Sequence, residues 1–181
     1  MEEIFFNDTE LSLCKDFSEQ VDTSLYAQRN QFDSQKRKAD SKIGKLGELL
    51  VYNILSKKYP TLTYPDFKIY KPREKSWDYD LKHETFNLHV KTQEALQASR
   101  FGQSWIFQLE DKHIFKNYKD NDYVAFVYLN VYKNFGTIKN IVPVKILHEM
   151  NLFKKPVLAK LYNKTAVYFE DIQSIIPSLK D

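Results

Sequence analysis

Between Ser41 and Lys58 the apolar side chains Ile43, Leu46, Leu50 and Ile54, joined by Val51 and Leu55, recur at helical spacing. The pattern predicts an amphipathic helix, with Asp40 or Ser41 placed to cap its start and Pro60 marking its end. Upstream, Leu11, Leu13, Phe17, Val21 and Leu25 are less regular, and a helix over Leu11 to Gln31 is the reading they allow. Downstream, Phe67 to Tyr70 reads as a short strand, followed by the charged loop KPREKS. After Gln93 a helix-compatible stretch is broken at Gly102, and Trp105 to Glu110 alternates as a half-buried strand. Asp111 can cap a short helix through Tyr118. Tyr123 to Tyr132 is almost continuously apolar, β-branched or aromatic, the composition of a central strand buried on both faces. Asn134 to Gly136 gives a turn and Thr137 to Val142 a further strand. Pro143 opens the helix VKILHEMNLF, and Thr165 to Glu170 is a last strand. Alternating helices and strands imply an α/β or α+β fold with a mixed sheet flanked by helices.

The densest polar chemistry lies in WDYDLKHETFNLHVKTQ, residues 77–93. Two alternating segments flank a polar break at His83-Glu84-Thr85, which predicts a β-hairpin. Asp78, Asp80 and Lys82 share one face and Tyr79 and Leu81 the other. On the return strand Asn87, His89 and Lys91 oppose Phe86, Leu88 and Val90. An even loop, either Glu84-Thr85 or His83 to Phe86, pairs Asp80 with His89 and Asp78 with Lys91. Two carboxylates, an imidazole and an ammonium then lie together.

Length and composition narrow the function classes. At 181 residues, 43% hydrophobic and 15% aromatic, the chain suits one folded domain. A net charge of +3 permits a nucleic-acid partner without demanding one. The single cysteine, Cys14, excludes an internal disulfide and a cysteine-based zinc site, consistent with a reducing cytoplasm. The acidic start MEEIFFNDTE has no secretory pattern, and no apolar run spans a bilayer, so the expected location is cytoplasmic. Gly44, Gly47, Gly102 and Gly136 assemble no phosphate-cradling loop. The four histidines, His83, His89, His113 and His148, lack the close spacing of a zinc hydrolase.

Asp80-Leu81, a short gap, then His89-Val90-Lys91 resembles the motif of the PD-(D/E)xK nucleases, the restriction-endonuclease-like superfamily. Glu48, on the helix upstream, resembles that family's additional metal-site glutamate. The resemblance implies a restriction-endonuclease-like core over residues 36–181. Residues 1–35 would form an N-terminal extension, helical, packing on the core or in a dimer contact. His89 stands where the pattern is acidic. The implied activity is metal-dependent hydrolysis of DNA phosphodiester bonds, by an endonuclease acting on double-stranded DNA. Cutting both strands with one site per chain would call for a homodimer.

The residue types suit that chemistry. A carboxylate-held Mg2+ or Mn2+ lowers the pKa of bound water and neutralises charge on the phosphate, and magnesium needs few protein ligands. Asp80, Glu48, His89 and Asp78 are the candidate metal ligands. Lys91 would orient the attacking water and offset developing charge. Gln93 would orient water or touch a phosphate. His89 would be a ligand, which suits manganese better than magnesium, or the general base, or the mark of lost activity. Lys45, Lys71, Arg73 and Lys75 are the candidate phosphate contacts. Two rival readings are an inactive nucleic-acid-binding protein of the same fold, using aromatics such as Trp77 and Trp105 for stacking, and a protein-interaction domain.

Overall fold

The computed structural model describes residues 3–21, 33–70, 79–158, 161 and 163–175. Its main sheet has the strand order β1-β6-β5-β3-β2, built from Ile4–Phe5 (β1), Leu81–Lys82 (β2), Asn87–Glu94 (β3), Asp122–Asn130 (β5) and Phe135–Pro143 (β6). The sheet is mixed: β3 and β5 are parallel and the other neighbours antiparallel. Ser104–Gln108 (β4) and Lys164–Tyr168 (β7) form a separate antiparallel pair. The helices are Asp8–Gln20 (α1), Ser34–Leu55 (α2), Ala95–Phe101 (α3), Lys112–Phe115 (α4), Val144–Glu149 (α5) and Phe169–Ile172 (α6).

The central strand behaves as its composition dictates. Val124, Ala125, Phe126, Val127 and Leu129 of β5 are all buried. Alternation sends Ala125, Val127 and Leu129 towards α2, where Leu46, Leu49 and Leu50 meet them together with Leu88 of β3. Val124 and Phe126 point the other way, into a second cluster with Trp105, Phe107, Val142, Leu147 and Val167. Two hydrophobic layers therefore sandwich the sheet. Trp105 is 1% exposed and its Nε1 donates to the Val127 carbonyl at 2.8 Å, so this ring is a core anchor and offers no surface for base stacking.

Several elements depart from the pattern. Helix α2 begins at Ser34, seven residues before Ser41, because Asp33 caps it by accepting from the Lys36 amide at 3.0 Å. Its first two turns carry no apolar stripe, so periodicity is silent there. Helix α1 starts earlier than Leu11, with Asn7 and Glu10 exchanging capping hydrogen bonds at 2.9 Å. Residues 22–32, the rest of the expected first helix, lie outside the described residues. Phe67 to Tyr70 forms no strand. Asp66 instead accepts from the Lys68 amide at 2.8 Å and the Tyr70 hydroxyl at 2.5 Å, a local turn that competes with sheet pairing. The helix after Asp111 stops at Phe115, and Phe169 and Glu170 open α6 rather than continuing the last strand.

Candidate functional site

The hairpin forms with the four-residue connection His83 to Phe86. Leu81 faces Leu88 and Lys82 faces Asn87, and the pairing ends there, with Asp80 just outside it. Leu81, Phe86 and Leu88 are completely buried, and this apolar face locks the register, since a slip by one residue would expose all three. Asp78, Lys71, Arg73, Lys75 and Trp77 lie outside the described residues.

Asp80 lies immediately before β2, just outside the regular pairing. Its amide donates to the Leu88 carbonyl at 3.1 Å and its Oδ2 accepts from the Val90 amide at 2.7 Å, so the carboxylate is tied directly to β3. Tyr79 does not share the Leu81 face as alternation predicts. Because β2 is only two residues long, the pleat ends before it. The Tyr79 ring instead lies 5.0 Å from the His89 ring and 5.1 Å from the His113 ring. Its hydroxyl donates to Asp122 Oδ2 at 3.0 Å. Asp122, fully buried, also accepts from the Asn87 side chain and the Lys119 amide, both at 2.8 Å.

His89, Lys91 and Gln93 occupy the face of β3 opposite α2. His89 is 5% exposed, and its buried Nε2 has no hydrogen-bond partner among the described residues. Burial holds this imidazole below its ordinary value of 6.5; Asp80 opposes the shift and Lys91 adds to it. The ring is therefore neutral near pH 7 and keeps a lone pair. Lys91 sets its ammonium 5.1 Å from the centre of the Phe107 ring and 3.9 Å from Asp111 Oδ2. Gln93 is engaged by backbone: its Nε2 donates to the Gly102 carbonyl and its Oε1 accepts from the Ser104 amide, each at 2.9 Å. That brace holds the α3–β4 connection.

Glu48 and Lys45 sit elsewhere, on α2 across the sheet from His89 and Lys91. Their side chains are 11% and 15% exposed and meet at 2.6 Å, with the ammonium 5.3 Å from the Phe17 ring and 5.6 Å from the Phe67 ring. The rest of the basic run at the start of α2 is also partly neutralised, Lys36 by Asp40 and Lys38 by Glu19. Among the described residues, no three His, Cys, Asp or Glu side chains converge as a metal-holding group.

The fold adds two groups that spacing alone does not suggest. His113 arrives from α4 with its ring 6.3 Å from that of His89, and its buried Nδ1 has no hydrogen-bond partner among the described residues. Asp111 reads in the sequence as a helix cap. It occupies the N-cap position of α4, yet its carboxylate makes no capping hydrogen bond and lies towards Lys91. No family model, curated protein or solved structure matches the chain. No helix among the described residues is long and apolar enough to cross a membrane.

Proposed function

We propose that this chain is a metal-dependent phosphodiesterase that cleaves double-stranded DNA as an endonuclease, built on a restriction-endonuclease-like core. One observation carries the reading: the Asp80 carboxylate is bound to the Val90 amide, between His89 and Lys91, which by alternation share one face of β3. The order of helix, hairpin, crossover helix and parallel strand, from α2 through β2, β3 and α3 to β5, supports the same core.

The donors suit a divalent ion that keeps much of its water: the Asp80 carboxylate, and the buried His89 Nε2 if its tautomer leaves that nitrogen free. When bound, Mg2+ or Mn2+ would supply an activated water and charge neutralisation at the phosphate. Lys91 would meet the phosphoryl oxygens with a positive charge steered by Phe107 and Asp111. The paired state of Lys45 and Glu48 favours a structural role for both.

The test is incubation of the purified protein with circular and linear duplex DNA in Mg2+, in Mn2+ and in chelator. Wild type should cleave only with metal. Asp80→Ala should lose cleavage while retaining DNA, and Lys91→Ala should lose cleavage and bind slightly less. Wild-type cleavage by either variant would remove this site. The second reading, an inactive DNA-binding protein, is favoured by the imidazole at position 89, and binding without cleavage in every metal would establish it.

A further inference from the structure

We infer that Asp111 is a positioning residue for Lys91 and supplies, from the β4–α4 connection, the negative charge that His89 does not provide. Three observations converge. Asp111 stands at the N-cap of α4, where an aspartate ordinarily hydrogen-bonds the first free amides, and it makes no such bond. Its Oδ2 instead lies 3.9 Å from the Lys91 ammonium, with both side chains 25% exposed. Beside them His89, 95% buried by its 5% exposure, presents a nitrogen that has no hydrogen-bond partner among the described residues.

In a site with an acidic residue two positions before the lysine, that carboxylate would both balance and aim the ammonium. Here the residue is an imidazole, which carries no negative charge in either protonation state. Left alone on an apolar ring, the Lys91 ammonium would be free to turn to solvent. The Phe107 face beneath and the Asp111 carboxylate beside confine it to the His89 face of β3. Asp111 thus acts through Lys91. In its catalytic consequence the inference rests on the nuclease reading above; in its geometry it does not.

Two measurements test it. In protein labelled with 13C-lysine, the Lys91 Hε–Cε resonance, assigned with Lys91→Arg, should move in Asp111→Asn and return towards its native position in Asp111→Glu. An unmoved resonance overturns the inference. In DNA cleavage, Asp111→Asn should lower kcat by about 10- to 100-fold with little change in KM, as loss of a positioning contact does. Asp111→Glu should recover much of the loss. In a His89→Glu background, Asp111→Asn should cost far less, because position 89 then carries the charge. Equal losses in both backgrounds would overturn the compensation. Absence of cleavage by wild type would remove the nuclease reading, while a moved resonance would still support the Asp111–Lys91 coupling.

Discussion

Gly47 and Gly44 are one turn apart on α2, and alanine should have opposite effects at the two sites. A β-carbon on Gly47 would collide with Thr92 Oγ1 and lie 3.0 Å from Thr92 Cβ and 3.2 Å from Cγ2. Thr92 is β-branched, so rotating its side chain exchanges one obstructing atom for another. Either α2 or β3 must move. Alanine raises helix propensity by about 1 kcal/mol, while overpacking costs about 1–3 kcal/mol, leaving Gly47→Ala up to about 2 kcal/mol less stable than wild type. At Gly44 nothing lies within 4 Å of the added carbon, so Gly44→Ala keeps the whole gain of about 1 kcal/mol. In urea unfolding followed by far-ultraviolet circular dichroism, a slope of about 2 kcal/mol/M would lower the Gly47→Ala midpoint by up to about 1 M and raise that of Gly44→Ala by about 0.5 M. Thr92→Ala should relieve part of the Gly47→Ala loss by removing two of the three close atoms. If the two glycine variants unfold at the same midpoint, the close approach of α2 to β3 is not what confines position 47.

Two further outcomes follow from the α1–α2 contact. Glu48→Gln leaves the Lys45 ammonium without its carboxylate beside two aromatic rings, and calorimetry should show a loss of about 3 kcal/mol, recovered when Lys45→Met is added; an unchanged melting temperature would remove the pair from the stability of the fold. Burial, with the Glu48 carboxylate assisting, pushes the Cys14 thiol up from 9.0 to about 12. A folded value above the unfolded one means the native state holds its proton longer. The stabilisation is full below about pH 9 and is lost as pH rises towards 12. Wild type should therefore lose more stability than Cys14→Ala over that range, and a thiol reagent at pH 8 should react only after denaturation; parallel stability curves or rapid native labelling would contradict this.

The hairpin was legible because two independent signals agreed: alternation on both strands and an even connection fix one register, and Leu81, Phe86 and Leu88 enforce it. The central strand was legible for the same reason, its apolar run being long enough to need cover on both faces. What escaped the sequence depends on few residues or on contacts distant along the chain. Two-residue β1 has no period to detect, and Ile4 meets Gly136 only through the folded sheet. The first turns of α2 are polar and announce themselves only by the cap at Asp33. Asp111 carries an ordinary capping signature, and its orientation towards Lys91 follows from where β4 delivers it. Tyr79 defeats alternation because Asp122, forty-three residues on, accepts a hydrogen bond from its hydroxyl.

The main sheet is bounded by its two shortest strands, Ile4–Phe5 on one side and Leu81–Lys82 on the other. Long, flat boundary strands invite a foreign strand to dock along their free amides and carbonyls, the first step towards fibrillar aggregates. Here each boundary strand pairs with only two residues of its neighbour, and among the described residues the rest of β6 and of β3 has no strand partner on that side. Beyond β2, the Thr63 amide already donates to the Lys82 carbonyl at 2.8 Å, and the Lys82 amide donates to the Thr63 hydroxyl at 2.8 Å. The strongly apolar β5, the segment most capable of cross-β stacking in isolation, is enclosed between β3 and β6. The order of the strands thus keeps the segment most prone to stacking away from either boundary of the sheet.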